Sequence, residues 1–190
     1  IQKCIQGLNM KLIRIGEKVI SEDKLQREIG RILKFRTEGL TQEEVAKKSG
    51  IERTFVSRLE SLGEIRKGEK IALVGFPVKN KKEVLSLAEL FGIDYTLLLS
   101  QQERLDFIQM RNKTELFNDI LATITYLLDF DVIIFLGSDK RVELAEKLFN
   151  IQVIGIVIGE SPITEDKYID IKIIKDVLKE VKVFTSDMEV

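Results

Sequence analysis

The chain has no histidine and no tryptophan, a single cysteine, Cys4, and two prolines in 190 residues. Without an imidazole, neither a Ser-His or Cys-His pair nor a His-ligated metal centre can be built, which removes several enzyme classes at once. One thiol cannot close an internal disulfide, and Cys4 has no second cysteine to join it in redox or metal chemistry. An excess of either charge is also lacking: 30 Lys and Arg stand against 31 Asp and Glu, a net charge of -1. That balance argues against a protein coated with nucleic acid along its whole length, but it leaves room for a local basic face. No uninterrupted apolar run of eighteen residues occurs and no cleavable leader is recognisable. The expectation is a cytoplasmic protein with no membrane partner.

What is present is the composition of a chain that buries a core and stays in solution. Hydrophobic residues make up 44% and charged residues 32%, with a mean hydropathy of +0.01. The length accommodates one domain or two small ones.

Residues 1–20 alternate weakly, with Leu12, Ile13 and Ile15 before Gly16 and Val19 and Ile20 after it, which predicts a short strand or hairpin. From Ser21 to Thr37, Leu25, Ile29, Ile32, Leu33 and Phe35 fall near helical spacing behind a Ser-Glu-Asp opening. Thr41 and Glu44 fit a capping box that opens a second, short helix to about Ser49. Gly50 supplies the turn, and Glu52 to Leu62 forms a third helix with Val56, Leu59 and Leu62 inward. Beyond residue 68 the period changes. Short apolar runs at Ile71 to Phe76, Tyr95 to Leu99, Val132 to Leu136 and Gln152 to Ile158 alternate with helical patterns from Asn80, over Gln101 to Phe130 and over Lys140 to Phe149. The Gln101 to Phe130 stretch, where Phe117, Ile120, Leu121, Ile124 and Leu128 share a face, allows a kink near Asn112. A fifth strand is expected at Tyr168 to Ile174, before a closing helix from Lys175. The fold class predicted is α/β: an N-terminal all-α segment at 21–67, then residues 68–190 as a three-layer, mostly parallel sheet of about four to five strands.

The segment from Leu40 to Glu60 carries the most information. Val45, Ile51, Val56 and Leu59 cement two helices, Ala46 lets their backbones approach, and Gly50 tolerates the turn. Left outward on the third helix are Arg53, Thr54, Ser57, Arg58 and Ser61, donors suited to base edges. With its Leu-Thr-Gln-Glu opening, Ala46, Gly50 and a Ser/Arg-rich second helix ending in Leu-Glu, the segment resembles the Cro/cI-repressor, Xre-like type of helix-turn-helix. The resemblance covers about forty residues and implies DNA-reading residues at Arg53, Thr54, Ser57 and Arg58, with Gln42 supporting the contact to the DNA backbone. Phe55 departs from the small or polar residue usual there; it is expected to meet a thymine methyl or the following segment. A helical hairpin that mediates only protein contacts is the alternative. Residues 21–70 hold 12 basic and 10 acidic residues, a small surplus. Lys34, Arg36, Arg53, Arg58, Arg66 and Lys67 are candidates for one basic surface. So few phosphate contacts imply weak binding by a monomer, hence an expected homodimer on double-stranded DNA. Leu62 to Ile71 offers a rival reading as the hairpin of a winged helix, although Ile71 to Phe76 is too apolar for an exposed wing.

With IALVGFP as first strand and VIIFLGS further on, the whole chain looks like small prokaryotic transcriptional regulators that join such a reading head to a Rossmann-like α/β domain. That resemblance implies a role in dimerisation or in sensing an unidentified small-molecule effector. Ligands on open parallel sheets bind at the strand-to-helix loops, which makes Gly75, Ser100, Gly137, Ser138, Asp139 and Ser161 candidate ligand residues, although turn chemistry uses the same residue types. Neither GxGxxG after the first strand nor GxxxxGK[ST] is present, so no nucleotide cofactor is expected. Asp139, Glu160, Asp166 and Asp170 read as a solvated acidic rim and no metal is expected. The protein is therefore expected not to be an enzyme. The alternatives are an α/β enzyme acting on a nucleotide or phosphoester with the helical segment as a docking module, and a structural adaptor.

Overall fold

A computed structural model describes residues 11–182, so Cys4 and the first half of the N-terminal strand segment lie outside the described residues. The chain divides into two compact units, Ile1–Glu64 and Ile65–Val190.

The first unit opens with β1 (Leu12–Ile15) and β2 (Lys18–Ser21), an antiparallel hairpin closed over Gly16 and Glu17. It is therefore not all-α: strand-forming Ile and Val residues on either side of Gly16 pair before the first helix begins. Ser21 then caps α1 (Glu22–Thr37), with Glu22 and Asp23 at the positive end of the helix and Lys34 and Arg36 at the negative end. Next, α2 (Gln42–Ser49) starts at a full capping box between Thr41 and Glu44. It ends on Gly50 at φ +67°, a backbone conformation that costs a residue bearing a Cβ about 1–2 kcal/mol. After the turn comes α3 (Arg53–Gly63). Ile32, Val45, Ala46 and Val56 are buried together, flanked by Phe35, Leu40, Ile51 and Leu59. Leu25 and Leu33, which fall near helical spacing with the buried Ile32, are exposed.

The second unit is a four-stranded, wholly parallel sheet in the order β4-β3-β5-β6, built from β3 (Ile71–Gly75), β4 (Tyr95–Leu98), β5 (Val132–Ser138) and β6 (Gln152–Gly159). Every residue of β3 and β5 is buried, the pattern of central strands covered on both faces. Alternation along these strands sends Ile71, Leu73, Val132, Ile134 and Leu136 to one face, where they meet α4 (Lys81–Leu90) and α8 (Ile171–Val181). Ala72, Val74, Ile133 and Phe135 go to the other face, against α6 (Lys113–Leu127) and α7 (Asp139–Leu148). Close packing of α7 on β6 depends on Gly155, where a Cβ would stand 2.1 Å from Val142 Cγ1.

Two expectations need correction, and one rival reading falls. The long helical stretch is two helices, α5 (Gln101–Gln109) and α6, broken where Asn112 and Glu115 make a new capping box. No fifth strand forms at Tyr168 to Ile174 among the described residues. Only an isolated bridge joins Lys167 to Val78, and α8, capped by Asp170, begins at Ile171, four residues before the expected start. Residues 64–70 hold no wing hairpin either: Gly68 makes a single parallel bridge to Lys182, and Ile71 enters the core sheet.

Candidate functional site

The third helix of the first unit is divided cleanly by its own periodicity. At about 100° per residue, Val56 and Leu59 point one way while Arg53, Thr54, Ser57, Arg58 and Ser61 fan over an arc of roughly 140° on the other side. Val56 is fully buried. Arg53, Thr54, Phe55 and Arg58 are exposed and Ser57 is half-buried.

A chain of hydrogen bonds locks this helix to its neighbours. Arg36 of α1 donates through Nε to Glu60 Oε1 and through Nη1 to the Leu40 carbonyl. The other oxygen of Glu60 accepts from Gln42 Nε2 at 2.7 Å, and Gln42 Oε1 faces Arg53 Nη1 at 3.5 Å. Gln42 thus stands between the ion pair that joins the three helices and the first arginine of the exposed face. Its amide can orient only one way while Glu60 accepts from it, which leaves the carbonyl oxygen toward Arg53. The Arg36 and Gln42 hydrogen bonds hold the Glu60 carboxyl below the ordinary glutamate value. Arg36 is committed to this clamp. Thr54 Oγ1 donates to Glu52 Oε2 at 3.2 Å, and Ser61 Oγ donates to the Ser57 carbonyl at 3.0 Å. Phe55 is 45% exposed. Arg66 and Lys67 belong to the second unit.

In the second unit the strand-to-helix residues are largely occupied by the fold itself. Gly75 is the last residue of β3, where a Cβ would press on Leu136 and Leu98 at 3.0–3.1 Å. Gly137 and Ser138 continue β5 through a register shift, so that strand runs straight into α7 at Asp139. Ser138, Asp139 and Ser161 do come together: Ser161 Oγ donates to Ser138 Oγ at 2.7 Å, and the Ser161 amide donates to Asp139 Oδ1 at 2.7 Å. The amides of Lys140 and Ser161 hold the Asp139 carboxyl below its usual value. Ser100 is separate from that group. It makes the capping box of α5 with Glu103, while the Gln101 amide donates to Asp166 at 2.6 Å. The amides at these helix starts therefore already meet carboxylates. Glu103 also pairs with Lys81 at 2.5 Å, which lowers its pKa before the Ser100 amide adds to the effect. Asp170 caps α8, and no three acidic or thiol side chains converge among the described residues.

Sequence reading missed Arg104 and Arg141. They lie in the first turns of α5 and α7 and line an apolar cavity on the α6–α7 face of the sheet. Their one sequence signal is a basic residue shortly after an apolar strand, twice. No known family model, curated protein or solved structure matches this chain. Among the described residues no helix is long and apolar enough to cross a membrane.

Proposed function

We propose that this chain is a sequence-specific DNA-binding regulator that reads duplex DNA through a helix-turn-helix formed by α2, Gly50 and α3. The observation that carries this reading is the outward arc of Arg53, Thr54, Ser57 and Arg58, opposite a buried apolar seam and anchored by the Arg36–Glu60–Gln42 chain. A helix of eleven residues with donors on its exposed face suits the major groove, where arginine can address the paired acceptors of guanine. Arg58 is the sharpest base-reading candidate, Arg53 its neighbour, and Gln42 a positioning residue that presents Arg53 and the start of α2 to the phosphates. Because only a few cations face outward here, useful affinity calls for two copies on one site, with half-sites roughly 34 Å apart. The α/β unit serves assembly and effector sensing.

Selection of bound fragments from random duplex DNA, run in parallel with Arg58→Ala protein, tests this. Enrichment of a two-fold symmetric site that the variant no longer recovers, with an unchanged melting transition and a steep salt dependence, is the expected result. No enrichment from folded protein, or equal enrichment by the variant, would rule out the assigned face and favour a helix pair that docks on protein.

A further inference from the structure

The second unit holds a cavity of about 570 Å³, within the size range of small-molecule sites. Of the 18 described residues that line it, 15 are apolar and the others are Arg104, Thr123 and Arg141. Thr123 is satisfied, since its hydroxyl donates to the Asp119 carbonyl at 2.8 Å. The two guanidiniums are not: one terminal nitrogen of each, Nη1 of Arg104 and Nη1 of Arg141, is buried without a hydrogen-bond partner among the described residues. Each such group forfeits the hydration it would have in water, and two like charges add repulsion to that cost. Burial first, and the Arg104 charge second, lowers the pKa of Arg141. The ring of Phe76 lies 5.1 Å from the Arg141 guanidinium carbon and offsets part of the cost, but a π-face accepts no in-plane N–H bond. Among the described residues no carboxylate lines the cavity.

Its position follows from topology. In the order β4-β3-β5-β6, the chain leaves β3 toward the face of α4 and leaves β5 toward the opposite face of α7, so the crevice between helices opens at the carboxyl ends of β3 and β5. Phe76 follows β3 and Arg141 stands three residues beyond the end of β5, on either side of that point. Arg104 reaches it from the helix after β4.

We propose that this cavity binds a small amphipathic carboxylate, its head between Arg104 and Arg141 and its hydrocarbon body along Phe107, Ile120 and Leu148. A planar carboxylate has two oxygens for two guanidinium forks. A nucleotide does not fit this chemistry, because its ribose hydroxyls and base edges would face apolar walls with no partner. An entirely neutral apolar ligand would leave both cations unpaired.

Decanoate, below its micelle concentration, is the probe on the full chain, with decanol as the neutral analogue of equal length. Calorimetric titration is expected to give one decanoate per chain, bound at least about tenfold more tightly than decanol and at least about tenfold more weakly by Arg104→Met and Arg141→Met. The variants carry their own control for folding: each removes a guanidinium nitrogen that is buried without a hydrogen-bond partner among the described residues, so the ligand-free Tm is expected to stay level or rise while the decanoate-induced increase disappears. Equal binding of decanol and decanoate, undiminished binding by both variants, or no binding to folded protein overturns the proposal. So does a dimer that Leu144→Asp dissociates while decanoate changes nothing, since a second copy would then cover the cavity mouth. None of these readouts involves DNA, so the carboxylate site and the DNA-reading face stand or fall separately.

Discussion

Glu60 joins three helices through one carboxylate: one oxygen accepts from Arg36 and the other from Gln42. Because its folded-state pKa lies below the ordinary glutamate value, the stabilisation it brings is present above that ordinary value and fades as pH falls through the depressed one. Glu60→Gln is therefore expected to destabilise the chain at neutral pH, by under about 1 kcal/mol for a partly exposed pair, and to match the parent once the pH lies well below the carboxylate range. Urea unfolding followed by circular dichroism of the helices at the two pH values checks this. A deficit that persists unchanged in acid would show that Glu60 acts through shape and not through charge. In the sequence, Glu60 reads only as the end of a Leu-Glu motif. Its partners lie 24 and 18 residues away, and no local spacing announces a bond across that separation.

At the scale of elements, the α5–α6 break shows both what local sequence declares and what it hides. Asn112 and Glu115 stand three apart and exchange the two bonds of a capping box, so the chain starts a new helix there. The box is legible, yet the apolar residues on both sides continue at helical spacing, which invites a single kinked helix. Asn112→Ala removes the cap and favours a continuous helix; a loss of about 1 kcal/mol in thermal unfolding is expected. An unchanged Tm would mean that Arg111, which pairs with Asp119 and stacks on Phe107, sets the break without Asn112. The stripe assigned to α6 is also rotated. Phe117, Leu121 and Leu128 are exposed and Leu127 is buried, while Leu116, Ile120, Ile124 and Leu127 line the cavity of the α/β unit, Ile120 remaining 44% exposed at its mouth. For α8, the alternation of Tyr168 to Ile173 imitates a strand. Only the later spacing of Ile174, Leu178 and Val181, all buried, reveals the helix.

For the whole molecule, the most legible parts are those with the fewest alternatives. β3 and β5 are uninterrupted apolar runs because a central parallel strand is covered on both faces, and the capped helices declare their own starts. Arg104 and Arg141 are the opposite case: they follow β4 and β5, which are not neighbours but flank β3, and no local spacing announces that both line one cavity. The same distribution of burial sets an order of stability. Among the described residues, the α/β unit buries clusters of 15 and 9 hydrophobic residues on its two faces, against four in the helical unit. Amides of β3 and β5 are therefore expected to exchange with solvent slowest and only through global opening of their unit, with those of α2 and α3 at least about tenfold faster. Hydrogen exchange read residue by residue decides it. Equal protection in α3 and β5 would mean that the helical unit draws stability from beyond its own small core. A reading helix in a marginal unit has a consequence for regulation: a bound duplex that contacts only the folded form should raise α2 and α3 protection while leaving β3 and β5 unchanged.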